Sequence, residues 1–368
     1  MPKRKKPDLK LELPGYTPPD ARKKRGVLHT PITPLKLTPD MTVADLVEGF
    51  RGMSVQARNL GLCGEVLKNM LTDRSRPTVL MGLAGPLVAA GLRAVLRDMI
   101  EHNLVDVIVS TGAILYQDIY QARGFHHFVG SPHADDARLR QLYIDRIYDT
   151  YVDEEKFIET DDWLGRVADD LPPGNTSSRA YMDSVADRLN DPDSIVVTAR
   201  KRGVPMFVPA INDSSIGIGL TDHYHRAKVE GRPHLTIDSI RDNYELTQIV
   251  VKSKATAAIY VAGGVPKNYI NDSVVMSYIF GAERGHTYAL QVTTAVPMDG
   301  GLSGSTLSEA VSWGKIRTKA RTAMAWVEPS VALPLLVGYA IQRDLGANRG
   351  RLKFHWDQDV LKRIELLN

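Results

Sequence analysis

The chain has 368 residues, of which 43% are hydrophobic and 24% charged, a balance typical of a soluble globular protein. Its net charge of +3 does not indicate nucleic-acid binding, because much of the local positive excess falls in the first 25 residues. The single cysteine, Cys63, excludes an internal disulfide and favours a reducing compartment. The apolar runs are too short or too interrupted to span a bilayer, and no signal-peptide pattern opens the chain. We therefore expect a cytoplasmic protein with neither nucleic-acid nor membrane partners.

Residues 1–40 are rich in Lys, Arg and Pro and lack the apolar periodicity of a packed element. Such a composition predicts an extended or disordered basic arm, which either stays solvated or docks on an acidic patch of another subunit. The rest of the chain, residues 41–368, shows neither an internal repeat nor an obvious second domain. We expect it to form one α/β domain.

The first ordered element is predicted at Thr42. Thr42 followed by Asp45 resembles a capping box, and the apolar residues after it recur at helical spacing. The same spacing resumes after Met53. These patterns predict a helix followed by either a second helix or a continuation of the first.

A βαβ unit is predicted next. Thr78–Leu83 has the pattern of a buried strand, Gly85-Pro86 that of a turn with Pro near the first helical position, 92–100 that of a helix and 104–109 that of a second strand. The crossover rule makes the two strands parallel, and ligands of such sheets bind beyond the carboxyl ends of the strands. The segment Ser110-Thr111-Gly112-Ala113 lies at such an end.

Four further strands are predicted at 204–208, 256–261, 288–292 and 322–327, with helices between most of them. This alternation predicts an α/β fold with a doubly wound, mostly parallel sheet of Rossmann type. The basic arm and the first helices form an N-terminal extension to it.

Two loops after the later strands carry ligand-binding signals. Asp213 follows the strand at 204–208, where its carboxylate can accept hydrogen bonds from ribose hydroxyls or can cap the next helix. Gly263 and Gly264 turn the strand at 256–261 into a helix, so that backbone N–H groups can face an anion. This turn lacks the full dinucleotide fingerprint and does not identify such a ligand by itself.

Histidines and aspartates cluster twice, at 125–136 and at 222–225. Neither cluster has the spacing of a zinc site. We therefore predict no metal and interpret both clusters as solvated loop residues.

The densest group of reactive side chains lies at 299–316. Gly, Ser and Thr fill the first half, and Glu309, Trp313 and Lys315 lie in the second. A helix capped by Ser308 would place Glu309 and Trp313 on one face, with Lys315 just beyond the helix end. A partly desolvated lysine amine can attack an imine or carbonyl carbon. The alternative is a solvated lysine next to a core tryptophan.

The string Glu309-Ala310-Val311-Ser312-Trp313-Gly314-Lys315-Ile316 resembles the active-site signature of the deoxyhypusine synthase family. The resemblance extends, with the same order of motifs, from residue 50 to residue 340. It implies that Lys315 forms a covalent imine with an aminobutyl group. It also implies that 41–368 is an NAD-binding catalytic domain with polyamine substrates. The family's homotetramer places each active site at a dimer interface.

The resemblance further assigns individual residues. The positions that it implies for NAD binding are Thr111, Gly112, Asp213, Gly263, Gly264, Thr294, Ala295, Asp299 and Glu328. The positions that it implies for substrate binding are Glu309, Trp313, Ser303, Asn268 and Asp272. Ala84-Gly85-Pro86 and Tyr116-Gln117 depart from the hydroxyl, amide and glutamate side chains of eukaryotic members.

Four substitutions separate this chain from authentic deoxyhypusine synthases. Ile218 and Leu302 replace two polyamine-binding aspartates, Asn268 replaces a histidine and Asp272 replaces an asparagine. A retained lysine signature with a rebuilt pocket is what a bacterial deoxyhypusine synthase-like branch would show. We predict NAD-dependent transfer of a 4-aminobutyl group from a spermidine-like polyamine to a small diamine, as in homospermidine synthesis. The alternative is a true deoxyhypusine synthase that modifies a lysine of the hypusine-bearing translation factor.

Two further functional classes are compatible with the predicted fold. One is an ordinary NAD-dependent oxidoreductase that releases NADH, and the other is a catalytically silent binding subunit. The intact signature around Lys315 counts against both, because neither needs a nucleophilic lysine.

Overall fold

The computed structural model describes residues 20–367. The helices are α1 (Ala21–Val27), α2 (Val43–Phe50), α3 (Val55–Thr72), α4 (Arg93–Glu101), α5 (Gly112–Ala122), α6 (Asp136–Gln141), α7 (Glu154–Asp169), α8 (Ser178–Ala186), α9 (Ile195–Arg202), α10 (Ser215–Glu230), α11 (Ser239–Lys252), α12 (Gly264–Met276), α13 (Leu307–Ser312) and α14 (Pro329–Gln342). The strands are β1 (Thr78–Leu83), β2 (Val107–Ser110), β3 (Phe128–Val129), β4 (Ile144–Ile147), β5 (Thr150–Asp153), β6 (Gly174–Thr176), β7 (Met206–Phe207), β8 (Leu235–Ile237), β9 (Thr256–Val261), β10 (His286–Val292), β11 (Ile316–Ala325), β12 (Arg351–Asp357) and β13 (Val360–Leu367).

Six parallel strands form the central sheet, in the order β11-β10-β9-β1-β2-β7. The order reverses direction at β1, as in a doubly wound sheet. Side chains alternate across the strands, so that Val79, Met81 and Leu83 of β1 join one hydrophobic core and Leu80 joins the other. Helices therefore cover both faces, which confirms the predicted fold class.

The two cores account for which helices lie on each face. Helices α3 and α14 supply Leu67 and Leu336 to one core, and α11 and α12 supply Ile249 and Ile270 to the other. Every residue of β1 is buried, as both faces of a parallel sheet require. This two-sided burial is why the strand sequences are continuous apolar runs.

The exposed helix α1 is the first element of the described residues. Residues 21–27, predicted to be extended or disordered, form α1, whose N-cap Asp20 accepts a hydrogen bond from the N–H of Arg22 at 2.8 Å. Residues 1–19 of the predicted arm lie outside the described residues. The capping box of Thr42 and Asp45 is present at the start of α2, as predicted.

The predicted βαβ unit is confirmed, with a helix close to the predicted 92–100, but Pro86 does not lie near the first helical position. Strands β1 and β2 are parallel, and α4 begins at Arg93 rather than near Pro86. Gly85 and Gly91 adopt positive φ angles of 88° and 85°, which belong to turns and not to a helix. The chain therefore makes an irregular turn between them.

The cluster at 222–225 is not a solvated loop. It lies in α10, and His223 is only 2% exposed. The ring Nδ1 of His223 lies 2.6 Å from Asp169 Oδ1, and Nε2 accepts a hydrogen bond from the N–H of Leu235 at 2.9 Å. Both ring nitrogens are thus satisfied by protein groups, which explains how a histidine can be buried here.

A buried ion cluster holds the C-terminal segment against the amino edge of the sheet. Asp106 lies 2.7 Å from the guanidinium of Arg76 and 2.6 Å from that of Arg349. Burial by itself would raise the pKa of Asp106, but the charges of the two arginines hold it at about 2. The antiparallel hairpin of β12 and β13, which follows Arg349, was not predicted from the sequence.

Candidate active site

The parallel strands end at one level and define a carboxyl edge of the sheet. Leu83 of β1 pairs with Ser110 of β2 and with Val261 of β9, and Val261 pairs with Val292 of β10. Every residue predicted to bind the cofactor lies in a loop or helix start that follows a strand at this edge. Their placement fits the rule for ligands of parallel sheets, while their role stays a prediction.

Thr111, Gly112 and Asp213 form the first group on this edge. A Cβ at Gly112 would lie 2.1 Å from Ser214 Oγ, so glycine is needed for the loops after β2 and β7 to touch. Asp213 is exposed and does not cap α10, whose N-cap is Ser214. The helix-cap interpretation of Asp213 is therefore wrong.

Gly263 and Gly264 form the second group. They contact residues 301–305, which we call the Ser-rich loop. The N–H of Gly264 donates to Ser303 Oγ at 2.9 Å, and a Cβ at Gly263 would lie 2.6 Å from Ser303 Cα. Gly264 has φ 59°, a conformation that favours glycine. This N–H is thus occupied by Ser303, although an anion was the predicted partner.

The third group follows β10 and β11. Thr294 and Asp299 are exposed and Ala295 is half-buried, in the segment that leads through the 3₁₀ turn Pro297–Asp299. Glu328 caps α14, and its carboxylate accepts from the N–H of Ser330 at 2.8 Å. These side chains line the edge on the side opposite to Asp213.

The signature segment forms the short helix α13. Its N-cap is Thr306 and not Ser308, which was wrongly predicted to cap the helix. Glu309 completes a capping box, because its Oε2 accepts from the N–H of Thr306 at 2.5 Å and from its hydroxyl at 2.8 Å. These hydrogen bonds lower the pKa of Glu309, so the carboxylate is charged although it is engaged.

Lys315 follows the helix at the position that the sequence predicted. Gly314 has φ 71° and turns the chain out of α13 toward β11. The Nζ of Lys315 lies 3.2 Å from Asn268 Oδ1, 3.3 Å from Asp272 Oδ1 and 5.5 Å from the centre of the Trp313 ring. Trp313 is 71% exposed, which rules out the core-tryptophan alternative. The Lys315 side chain is only 14% exposed.

Lys267 is a buried lysine that the sequence analysis missed. It is 1% exposed, and its Nζ donates to Gln291 Oε1 at 2.9 Å, Leu302 O at 3.1 Å and Ser305 O at 2.6 Å. Burial, with a smaller contribution from the charge of Lys315, lowers the pKa of Lys267 to about 8. Lys267 lies in the first turn of α12, a position that the helix dipole makes unfavourable for a cation. This position is the feature of the sequence that could have indicated an unusual lysine.

Lys267 and Gln291 fix the loop that carries Ser303. The amide Nε2 of Gln291 donates to Ala262 O at 2.6 Å and to Ser303 O at 2.8 Å, while its Oε1 accepts from Lys267. The Ser-rich loop is therefore tied to the turn after β9 by buried polar groups. This arrangement positions Ser303 and the start of α13.

The predicted residues fall into two places in the fold. Asn268 and Asp272 lie in α12 and contact Lys315, and Ser303 contacts the first residue of that helix. Lys315 directly precedes β11 and Asp213 follows β7, and these two strands are the edge strands of the sheet.

Within residues 20–367, no three His, Cys, Asp or Glu side chains gather in a way that would hold a metal ion. The helices in this part of the chain include none that is long and apolar enough to cross a membrane.

Fold and site together define a doubly wound α/β protein that presents a sheltered lysine amine, a group able to form imines, beside a carboxylate, an amide and an indole. A family model for deoxyhypusine synthase matches residues 45–340. The chain belongs to the deoxyhypusine synthase family, whose members are transferases.

Individual relatives agree with this membership. A deoxyhypusine synthase-like protein of Chlorobaculum tepidum is 43% identical over 328 residues, which cover 87% of this chain and 92% of the relative. A protein of Methanosarcina mazei named "Probable deoxyhypusine synthase 2" is 40% identical over 334 residues, covering 89% and 95%. The structure of an Entamoeba histolytica protein assigned as a deoxyhypusine synthase superposes with a TM-score of 0.57 at 18% identity, covering 82% of this chain and 94% of that one.

Proposed function

We propose that the protein transfers a 4-aminobutyl group from a spermidine-like polyamine to an acceptor amine, through an imine on Lys315 whose formation releases the rest of the donor as a primary amine. The observation that carries the proposal is the Lys315 amine within 3.3 Å of Asp272 and Asn268. A carboxylate and an amide suit a cationic amine substrate, and the exposed face of Trp313 offers a cation–π contact to the same charge. Family membership supports this assignment.

NAD is the cofactor that we propose for the carboxyl edge. Thr111, Asp213 and the turn at Gly263-Gly264 would hold it, and the exposed carboxylate of Asp213 fits a ligand with ribose hydroxyls. When bound, NAD supplies reversible hydride removal from the polyamine carbon, so that the redox steps of the complete transfer cancel. An oxidoreductase would instead accumulate NADH, which an absorbance assay detects.

Lys315 precedes β11 and Asp213 follows β7, the two edge strands of the sheet, and this arrangement favours an active site shared by two chains. Large apolar side chains near the site are exposed, among them Met298 at 86% and Ile279 at 82%, as a subunit contact requires. We therefore propose the family's homotetramer, in which Lys315 of one protomer faces cofactor groups of its partner.

Mixing two inactive variants tests this shared site. Lys315→Ala and Asp213→Ala should each be inactive or nearly so, and subunit exchange should restore about a quarter of wild-type activity. Half of the dimers are then hybrids, each with one intact site. Restoration after unfolding and refolding the mixture, with none in the separate samples, would support the shared site. Mixtures as inactive as their components would contradict it.

The acceptor proposed here is a small diamine. Ile218 and Leu302 stand where the family has carboxylates, each worth about 1.5 to 3 kcal/mol, so the usual polyamine pose is weakened by roughly 3 to 6 kcal/mol. Asp272 offers a replacement charge from a different direction. Asp222, a second candidate for that charge, is paired with Arg226 at 2.8 Å and is less suited.

The decisive experiment traps the lysine and then offers two acceptors. Borohydride added with polyamine and NAD should attach an aminobutyl mass to the peptide that contains Lys315. Lys315→Ala and Lys315→Arg should give neither adduct nor turnover, and Lys319→Ala, which removes an exposed lysine of the strand that follows Lys315, should behave as wild type. Homospermidine formed from putrescine, without labelling of the translation factor, supports the small-amine acceptor. Efficient labelling of the factor with no small product supports deoxyhypusine synthesis instead.

A further inference from the structure

The Lys315 amine takes part in a group of three mutually contacting polar side chains. Its Nζ lies 3.3 Å from Asp272 Oδ1 and donates to Asn268 Oδ1 at 3.2 Å. The amide Nδ2 of Asn268 in turn donates to Asp272 Oδ2 at 2.8 Å. Each of the three side chains therefore touches the other two.

This set of contacts engages the Lys315 amine. An amine that is paired with a carboxylate at 3.3 Å and hydrogen-bonded to an amide must leave these partners before it can attack a carbonyl or imine carbon. The Trp313 ring at 5.5 Å offers a further contact to the same amine. The buried amine of Lys267 places a like charge within coulombic range of Lys315.

The exposures of the two partners differ in a way that matters for access. The Asp272 side chain is 45% exposed, whereas that of Lys315 is 14% exposed. A cationic ligand that enters from solvent therefore reaches the carboxylate before it reaches the amine. Once the ligand's ammonium has taken the carboxylate, Lys315 is left without its counter-ion and near the charge of Lys267.

We propose that Asp272 is a specificity-determining latch, which keeps the Lys315 amine paired until an ammonium group of the substrate takes its place. The identity of that substrate as a polyamine rests on the proposed function, but the latch itself rests on the three contacts. The arrangement activates the lysine for aliphatic amines and protects it from neutral carbonyl compounds. An amide at position 272, as in authentic family members, cannot act in this way because it carries no charge.

Labelling Lys315 with benzaldehyde and cyanoborohydride tests the latch without NAD or turnover. The labelling rate is read by mass spectrometry of the Lys315 peptide, with Lys319 as internal reference. It should rise about two- to fivefold in Asp272→Asn, a factor that corresponds to the free energy of a partly exposed ion pair. Turnover of polyamine by Asp272→Asn should fall, so the two readouts move in opposite directions. Glu283→Gln, which removes an exposed carboxylate elsewhere, should label at the wild-type rate. Asp272→Ser serves as a second variant if the first is misfolded.

Release by a cation is tested with trimethylammonium chloride, whose amine cannot form an imine with benzaldehyde, against an equal concentration of sodium chloride. Trimethylammonium should raise the wild-type labelling rate and leave Asp272→Asn unchanged. An unchanged or lower rate in Asp272→Asn overturns the latch, and a trimethylammonium effect no larger than that of sodium overturns release by an ammonium group. If labelling behaves as expected while borohydride traps no aminobutyl adduct, the proposed transfer fails and the latch stands.

Discussion

Replacing Lys267 by Met tests whether the buried amine organises the active-site loop. The variant keeps the length of the side chain and removes three hydrogen bonds, to Gln291, Leu302 and Ser305. Each acceptor left without a donor costs about 1 to 2 kcal/mol, or roughly 3 to 6 kcal/mol together. Removing the buried charge offsets about 3 kcal/mol of this at pH 7, because the pKa of Lys267 falls from 10.5 to about 8. We expect the variant to be less stable than wild type by about 0 to 3 kcal/mol at pH 7.

The pH dependence of this difference is the sharper test. The pKa of Lys267 is lower in the folded protein than in the unfolded chain, so the folded state releases its proton first as the pH rises. The penalty for the buried charge is therefore complete below pH 8 and disappears gradually between pH 8 and 10.5. From pH 7 to pH 9.5, the stability of wild type relative to the variant should grow by about 2 kcal/mol.

Urea unfolding at pH 7 and pH 9.5 measures this change, with Lys319→Met as the matched control on an exposed lysine. The control should show no such pH dependence relative to wild type. In Lys267→Met, the affinity for NAD should fall together with stability, because Ser303 loses its support next to Gly264. A wild-type-to-variant difference that is constant between the two pH values would refute the assignment of a buried, charged amine to Lys267.

Three further predictions concern the cofactor edge and the core. Asp213→Ala should weaken NAD binding by about 1.5 to 3 kcal/mol for each charge-assisted hydrogen bond lost, measured by calorimetric titration, and unchanged affinity would place the cofactor elsewhere. Gly264→Val, at φ 59°, should abolish NAD binding, whereas Gly26→Val on the exposed α1 should not. Asp106→Asn should lower the free energy of unfolding by about 3 to 5 kcal/mol, because two buried arginines lose their counter-ion. The pKa of Asp106 is depressed to about 2, so wild type should lose this stabilisation only as the pH falls from 3.8 through 2. An Asp106→Asn variant as stable as wild type at pH 7 would contradict the role of the ion cluster.

The sequence by itself determined the layered fold and the position of the reactive lysine. Continuous apolar runs such as Thr78–Leu83 indicated strands buried on both faces, and β1 and β9 have the predicted bounds. The capping box at Thr42 was readable because it depends on residues three positions apart. Gly314 likewise marked the end of the helix before Lys315, since a left-handed residue ends a helix locally.

Only the tertiary structure decided what surrounds that lysine. Asn268 and Asp272 contact Lys315 across more than forty residues of sequence, and Lys267 donates to loop residues that are 35 and 38 positions away. Glu309 completes the capping box of its own helix because Thr306 lies three residues before it, whereas the sequence analysis had wrongly chosen Ser308 as the N-cap. Local patterns determine helices and strands because their hydrogen bonds are local, whereas a site depends on which side chains packing brings together. The positions of β11, which follows Lys315, and β7, which precedes Asp213, at opposite edges of the sheet were decided in the same way, because the order in a sheet is set by packing of both faces and not by adjacency along the chain.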